Sequence, residues 1–309
     1  MERYINLNFY DTPLKKTWVP LGACGIAFGF GIASKWTGAY AGAGLAIIFF
    51  VQLFQRFREY RYALLSPKGS TSGISHKHII KSFPQNTLRT ILFCVVFFVV
   101  IPFIIYLLSY LPFVDAYRPG LFERMLKNQE TMFNYHSALD ATHPYSSTWS
   151  EWPIMKRPMF YYSNRLEGTI RQGISSFGNP LVWWAGIPAL LYTGYLAIKK
   201  KQKAAIFLCI AFLAQYLPWT LVSRCTFIYH YFPSVPFIVL SIGYSFMQLR
   251  EIKGLQKHPK RFYGLLLGYA LTAFILFIMF YPVISGSPVS YEYVDKFLRW
   301  MDSWVFVIS

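Results

Sequence analysis

The stretch LVSRCTFIYHYFPSVPF, residues 221–237, places Arg224, Tyr229, His230 and Tyr231 between two long apolar runs. Ionisable groups at the edge of a membrane are costly, and they usually face a cavity, a partner or a substrate. An arginine near a histidine suits an anionic lipid headgroup, which both side chains could hold through charge-assisted hydrogen bonds. The alternative is an interfacial aromatic belt with an arginine that extends toward the headgroups.

Two further positions have a structural and a functional interpretation. Lys35, in the turn ASKWTG between two apolar runs, is either an interfacial lysine that reaches the headgroups or a cation for a phosphate. His143 opens the sequence HPYSS after Asp140. Pro144 and the two serines suit a turn, whereas the imidazole suits a hydrogen bond to a phosphate or a sugar.

The acidic residues of the segment 112–180 do not form an obvious catalytic pair. Transfer of a sugar to a hydroxyl usually needs a carboxylate as general base. The segment contains Asp115, Glu123, Glu130, Asp140, Glu151 and Glu167. None of them is adjacent to another and none lies in an apolar run, so we expect most to be surface charges and assign no catalytic residue.

Motifs for cofactors and metals are absent from the sequence. There is no P-loop, Rossmann fingerprint, HExxH motif or nucleophile elbow, so nucleotide chemistry of the soluble kind has no support. The four cysteines show no CxxC spacing, and the HKH at 76–78 has no acid or cysteine nearby. We therefore predict neither a metal site nor a cofactor.

The composition is that of a membrane protein. Of the 309 residues, 55% are hydrophobic and only 14% charged, and the mean hydropathy is +0.35, whereas a soluble domain carries about a quarter charged residues. The net charge of +17 comes largely from three short basic segments between apolar runs, at 56–89, 199–203 and 250–261. This distribution follows the positive-inside rule and not the pattern of a nucleic-acid groove, so no nucleic-acid partner is predicted.

The hydropathy pattern predicts an all-α membrane protein, a polytopic helical bundle with about seven transmembrane helices. Seven apolar segments reach the roughly 20 residues that a bilayer requires; they lie near 17–34, 38–54, 89–111, 181–198, 204–222, 227–249 and 262–284. We predict four parts. Residues 1–111 form three spans and include the basic cytoplasmic loop 55–88, which is expected to be a solvated linker that faces lipid headgroups. Residues 112–180 form an extracytoplasmic loop, 181–284 form four spans, and 285–309 form an extracytoplasmic amphipathic tail.

The loop 112–180 is expected to be ordered. LFERMLKNQETMFNYHSAL predicts an amphipathic helix on the membrane surface, because its apolar residues fall on one side; they are Phe122, Met125, Leu126, Met132 and Phe133. Turn signals follow at Gly168, Gly173 and 178–180. These features predict that the loop forms an ordered cap on the outer face. The tail after 284 either completes this cap or merely lies on it.

Several of these segments resemble the protein O-mannosyltransferases. ASKWTGAYAGAGL is similar to that family's Lys-Trp helical turn, and HPYSSTWSEWPIMKRPMFYY to its long extracytoplasmic loop. FGNPLVWWAGIPALLY resembles the start of the following span, and QYLPWTLVSRCTFIYHYFPSVPF its Pro-Trp, Ser-Arg and Phe-Tyr-His-Tyr sequence. The matching segments are collinear over about residues 5–284 and specific in combination.

The resemblance implies a membrane enzyme of the C-type glycosyltransferase fold. Such enzymes transfer mannose from a polyprenyl- or dolichyl-phosphate donor to Ser or Thr hydroxyls of exported proteins, on the outer or lumenal face. It implies a donor phosphate and sugar site at Lys35, His143, Arg224 and His230, shaped by Tyr229 and Tyr231. The implied partners are the lipid donor, the acceptor proteins and membrane lipids.

Two departures from the family pattern qualify these expectations. The family has about eleven spans and an Asp-Glu catalytic pair in its first extracytoplasmic loop, and neither that loop nor the pair is found in this chain. We expect a companion chain or a longer gene product to supply them. The sugar-binding repeat domain of eukaryotic members is also missing, which points to a bacterial-type member in the plasma membrane. An inactive remnant, or a lipid-phosphate-binding partner subunit of another glycosyltransferase, is the main alternative; a lipid-sugar transferase with a lipid acceptor and a transporter fit less well.

Overall fold

The computed structural model describes residues 1–113, 120–138 and 141–308. It divides into two compact units, Met1–Ala138 and Leu139–Ser309. Asp115 and Asp140, two of the acidic residues considered above, lie outside the described residues.

The first unit is built from helices and one small hairpin. Its elements are α1 (Glu2–Ile5), α2 (Leu14–Ser34), α3 (Gly38–Leu65), β1 (Ser70–Thr71), β2 (Ile74–Ser75), α4 (His76–Val95), a π-helical turn (Val96–Val100), α5 (Ile101–Leu108), a 3₁₀ turn (Leu111–Phe113) and α6 (Leu121–Ser137).

The second unit combines helices with a three-stranded antiparallel sheet in the order β3-β4-β5. Its elements are a 3₁₀ turn (Trp149–Glu151), β3 (Met159–Arg165), β4 (Ile170–Ser176), α7 (Pro180–Ile198), α8 (Lys203–Tyr216), two 3₁₀ segments (Leu217–Leu221 and Ile228–Ser234), α9 (Val235–Arg250), α10 (Lys253–Gln256), α11 (Pro259–Ser285), β5 (Val289–Ser290), α12 (Tyr291–Tyr293) and a π-helical turn (Val294–Leu298).

Seven helical segments of the described chain are long and apolar enough to cross a membrane, which confirms the predicted number. They are Leu14–Ser34, Gly38–Leu65, His76–Phe113, Pro180–Ile198, Lys203–Leu221, Ile228–Arg250 and Pro259–Ser285. The first three belong to the first unit and the other four to the second. The chain is therefore a multi-pass, mainly helical membrane protein, as predicted.

The basic segment 55–88 differs from the solvated linker that the sequence suggested, since most of it is helical. Only 66–75 separates α3 from α4, and it forms the β1–β2 hairpin. Arg56 is just 3% exposed. Its guanidinium donates to the Tyr4 hydroxyl at 2.6 Å and lies over the Phe9 ring at 4.2 Å. Aromatic faces can accommodate a cation in this way, so Arg56 fixes the N-terminal segment instead of facing solvent.

Close packing in the first unit depends on glycines of α2, which contacts the π-helical turn and α5. Gly25 lies so near that a Cβ placed on it would sit 2.2 Å from the carbonyl oxygen of Phe97. Gly29 likewise approaches Pro102. Small residues let membrane helices approach in this way, which explains the Gly-rich composition of the first span.

We expect Gly25→Ala to destabilise the first unit, by about 1–3 kcal/mol, because the new methyl group would collide with a backbone atom that cannot rotate away. Gly31→Ala is the matched control, because a Cβ there has no neighbour within 4 Å. Thermal unfolding of both variants in nanodiscs measures the difference. Equal unfolding temperatures would contradict this packing.

The tail after 284 is an integral part of the cap formed by the sheet, the turn 149–151 and residues 286–308. β5 pairs with β4 through Arg171 and Val289. Trp304 is 1% exposed and donates its indole Nε1–H to the Met155 carbonyl at 2.7 Å. The tail therefore completes the cap's core, which settles the alternative left open by the sequence.

One predicted turn in the cap is wrong. Gly168 does have a positive φ of 61° in the β3–β4 connection. Gly173, however, lies inside β4. A Cβ there would approach the Phe306 carbonyl oxygen to 2.1 Å, so the glycine allows the tail's backbone to cross the strand.

Candidate functional site

The HPYSS segment lies directly against the segment that follows Arg224. The Ser147 N–H donates to the Thr226 carbonyl at 2.9 Å, and the Thr226 hydroxyl donates to the Ser147 carbonyl at 2.8 Å. Both residues are buried. The structure thereby joins two sequence motifs that are 79 residues apart.

Trp152 stabilises this junction through its contacts with Ser147. Its Nε1–H lies 3.1 Å from the Ser147 carbonyl and 3.2 Å from the Ser147 hydroxyl. The ring stacks on His230, with centroids 5.9 Å apart and an interplanar angle of 21°, and meets Trp219 edge-on at 5.6 Å. From the sequence, Trp152 was only part of a motif, and we predicted no role for it. The Trp-Pro pair within a polar loop was the signal that could have indicated its structural role.

His143 presents a defined hydrogen-bond donor at a half-buried position. Its Nδ1 accepts the Tyr145 N–H at 3.2 Å, and its ring packs edge-on against Phe227 at 5.1 Å. A neutral imidazole that accepts through one nitrogen carries its proton on the other. His143 is therefore suited to donate a hydrogen bond from Nε2 to an oxygen of a ligand.

His230 is fixed more tightly, with 5% exposure. It lies in the 3₁₀ segment Ile228–Ser234, which contains Pro233. Its Nδ1 lies 3.1 Å from the Phe227 nitrogen and 2.9 Å from the Phe227 oxygen. The Trp219 and Tyr229 rings flank the imidazole at 4.3 and 4.4 Å. The orientation of this ring is set by the protein before any ligand arrives.

Arg224 and Tyr229 form a half-buried rim, and the Tyr229 ring lies 4.4 Å from that of His230. Within the described residues, the Arg224 guanidinium makes one long hydrogen bond, from Nη1 to the Cys225 carbonyl at 3.4 Å, and lies near enough to Tyr229 to interact electrostatically. Tyr229 stacks on Phe227 at 5.4 Å and on Tyr161 at 6.3 Å. A cation with most of its donors still available is thus placed beside an aromatic wall.

The other two predicted site residues occupy different surroundings. Tyr231 is 2% exposed and packs against Trp183 at 5.0 Å and Tyr216 at 5.3 Å, so it belongs to the aromatic core. Lys35 lies in the first unit between α2 and α3, next to Trp36, whose indole N–H donates to the Tyr106 hydroxyl at 3.1 Å. Its place in the same site stays a prediction.

Glu151 stabilises the turn that contains it. Its Oε2 accepts the Thr148 N–H at 2.9 Å, and its Oε1 pairs with Lys156 at 2.5 Å. Burial acts to raise the pKa of Glu151, but these hydrogen bonds outweigh it and the pKa is lowered. The carboxylate is therefore a poor general base. Glu123, Glu130 and Glu167 are exposed, so no catalytic acid is assigned among the described residues.

We expect Glu151→Gln to destabilise the turn 148–156 by about 1 kcal/mol at neutral pH, the usual value of a capping interaction. A carboxyl whose pKa is lowered by folding stabilises the folded state above its ordinary pKa of 4.5, and this contribution is lost as the pH falls below that value. The stability difference between wild type and variant should thus shrink on acidification. Thermal unfolding at neutral and acidic pH tests this, and a difference that stays constant would contradict it.

An apolar groove of about 760 Å³ adjoins the aromatic core in the second unit. Trp183, which packs on Tyr231, is also in its wall. The lining residues are Phe177, Gly178, Asn179, Trp183, Phe232, Val235, Pro236, Val239 and Leu240. Because the groove is open and lies at the beginning of α7 and α9, it suits a hydrocarbon chain that enters from lipid.

Several known proteins are similar to this chain in sequence. Residues 121–304 match the family model for the C-terminal four TMM region of protein-O-mannosyltransferase. The polyprenol-phosphate-mannose–protein mannosyltransferase of Corynebacterium glutamicum is 25% identical over 56% of this chain and 35% of its own length. The enzyme of the same name from Mycobacterium tuberculosis is 22% identical over 93% of this chain and 57% of its own length.

A solved structure supports the fold. The Saccharomyces cerevisiae protein O-mannosyltransferase Pmt1–Pmt2 complex bound to the sugar donor superposes with a TM-score of 0.50 at 21% identity, over 62% of this chain and 28% of the yeast chain. The chain spans about a third to three fifths of the length of the bacterial relatives described above. Since the family model matches more than half of the sequence, the chain belongs to the protein O-mannosyltransferase family.

Proposed function

We propose that this chain is the C-terminal membrane part of an enzyme that transfers mannose from a polyprenyl- or dolichyl-phosphate-mannose donor to Ser or Thr hydroxyls of exported proteins. The relatives are named for this reaction. The observation that carries the proposal is the docking of His143's segment onto the segment of Arg224, Tyr229 and His230 through Ser147 and Thr226.

The donor's phosphate would bind at Arg224, because a guanidinium suits the planar arrangement of phosphate oxygens. His143 would donate from Nε2 to a phosphate or sugar oxygen, and Tyr229 would support the sugar ring. His230 adds a pre-oriented imidazole, and Tyr231 holds the site from the core. Lys35 would supply a second cation for the phosphate, as the resemblance implies.

These groups would act on the leaving group. The acceptor hydroxyl attacks the anomeric carbon of mannose, the bond from that carbon to the phosphate oxygen breaks, and lipid phosphate departs with the bonding electrons. Fixed cations and N–H donors stabilise the negative charge that develops on the phosphate. The hydroxyl proton needs a base, which we assign to the part of the enzyme outside this chain.

The apolar groove beside Trp183 would hold part of the polyprenyl chain. The groove and the polar rim are connected through aromatic contacts, from Trp183 to Tyr231, from Tyr231 to Trp152 and from Trp152 to His230. A lipid lying in the groove would thus bring its phosphate toward the rim. Burial of each CH₂ group contributes about 0.8 kcal/mol.

We further propose that the active face is extracytoplasmic and the membrane the plasma membrane. The basic segments 199–203 and 250–261 follow the C-terminal ends of α7 and α9, whereas the candidate site lies at the opposite ends of these helices. Positive residues favour the cytoplasmic side. The remaining spans would come from a companion chain or a longer gene product.

The test is mannose transfer from a polyprenyl-phosphate-mannose donor to a Ser/Thr-rich peptide. Membranes should contain this chain alone or together with a candidate chain that carries the remaining spans. Transfer only with both is expected. Activity from neither would favour the inactive remnant or lipid-phosphate-binding subunit, and activity from this chain alone would place the base within it.

A further inference from the structure

Strand β3 lies at the edge of the cap's sheet and reaches the candidate site. The sheet order β3-β4-β5 gives β3 a strand neighbour on one side only, within the described residues. Its burial pattern leaves Tyr161, Tyr162 and Asn164 exposed. An exposed sheet edge is a template for an added extended segment.

The pairing register shows which backbone groups point away from β4. Leu166 donates its N–H to the Ile170 carbonyl at 3.0 Å, so these two residues form a hydrogen-bonded pair. Hydrogen-bonded and non-hydrogen-bonded pairs alternate in an antiparallel ladder. Ser163, opposite Gly173, is therefore in a non-hydrogen-bonded pair. Its N–H and C=O point to the edge distal to β4.

A β-bulge connects this edge with the site. The register shifts between Phe160 and Tyr162, which leaves Tyr161 as the extra residue. Bulges near functional sites re-aim a side chain, and here the Tyr161 ring, 54% exposed, stacks on Tyr229 at 6.3 Å with an angle of 27°. Tyr229 in turn lies against His230 at 4.4 Å. The distal edge of β3 thus leads toward the proposed sugar site.

We propose that an extended segment of the acceptor polypeptide binds to the distal edge of β3 by strand addition, centred on Ser163, and that Tyr161 positions the acceptor hydroxyl beside Tyr229. The inference rests on the proposed function and names its acceptor site. Main-chain pairing is indifferent to most side chains. It would suit an enzyme whose acceptors share an unfolded segment with a hydroxyl and little other sequence.

The first test uses the wild-type chain in nanodiscs and a fluorescein-labelled peptide with one Thr flanked by alanines. A series of peptides, each with a single N-methylated amide, is titrated against it. Strand addition predicts that binding weakens about tenfold at every second position and stays unchanged between them, because alternate residues face the partner strand. Equal binding of all the peptides, or no binding of the unmodified one, would overturn the proposal.

The second test removes the backbone N–H of Ser163, which would donate a hydrogen bond to the bound peptide. Ser163→Pro deletes an N–H that points away from β4, and proline is tolerated at such edge positions. Ser163→Ala is the matched control, because it keeps the N–H and loses only the hydroxyl that accepts from Ile308 at 3.3 Å. We expect about tenfold weaker peptide binding for the proline variant alone. Equal affinities of the two variants would count against the proposal.

The two proposals fail differently. If the complete enzyme mannosylates the unmodified peptide but the N-methyl series shows no alternation, the function stands and the docking edge is wrong. If the series alternates but no mannose is transferred, the edge binds peptides and the proposed reaction is wrong.

Discussion

Replacing Arg224 by alanine is expected to lower the kcat/KM for mannose transfer by about 100-fold or more, while thermal unfolding of the chain stays nearly unchanged. Loss of a charged group that stabilises a developing charge typically costs a factor of this order. The guanidinium is half-buried, and its one hydrogen bond within the described residues is the long contact to Cys225. Its removal should therefore affect the ligand much more than the fold.

The control variants separate charge from geometry. Arg224→Lys keeps the charge but loses the planar fork, so an intermediate loss of about tenfold is expected. Lys200→Ala removes an exposed cation that follows the C-terminal end of α7, away from the candidate site, and should leave transfer unchanged. Radiolabelled mannose incorporation into the peptide measures all three variants. Wild-type transfer by Arg224→Ala would exclude this arginine from the donor site.

The spans could be predicted because their signal is local. The predicted segment 262–284 corresponds to Pro259–Ser285, and 181–198 to Pro180–Ile198. Length and hydropathy suffice for such segments, since a bilayer imposes both. The basic segment 55–88 was harder, because Arg56 is buried only through the distant Tyr4 and Phe9.

The cap could not be predicted in detail, because its order depends on long-range contacts. β4 pairs with β5 more than a hundred residues later, through Arg171 and Val289. Gly173 gave the same turn signal as Gly168, yet it lies within a strand and makes room for the Phe306 backbone. Glycine alone does not distinguish a turn from a close approach of two backbones.

The residue types of the candidate site could be predicted from the sequence, but their arrangement in space could not. The sequence placed Tyr231 with Tyr229 and His230, but the 3₁₀ segment Ile228–Ser234 directs Tyr231 into the core. It gave no sign that Tyr161 would stack on Tyr229, since that contact depends on a bulge in β3. Helical or strand periodicity describes regular elements, and both of these positions are irregular.

Trp152→Ala is expected to destabilise the second unit by about 3–5 kcal/mol and to abolish transfer. Tryptophan has the largest side chain, so the removal of a fully buried one leaves a large cavity. Here it also removes the indole N–H from Ser147 and the ring that stacks on His230. Thermal unfolding in nanodiscs, followed by a transfer assay below the variant's unfolding temperature, measures both effects.

Trp152→Phe separates the packing of the ring from its hydrogen bonds. It keeps an aromatic face for His230 but loses the donor to Ser147, so a smaller destabilisation of about 1 kcal/mol is expected. Trp149→Ala is the matched control, because this neighbour in the same turn is 37% exposed and its carbonyl still accepts from Tyr216. If Trp149→Ala lowered stability and transfer as much as Trp152→Ala does, the turn as a whole would support the site. The specific role of Trp152 in connecting the HPYSS segment with His230 would then be wrong.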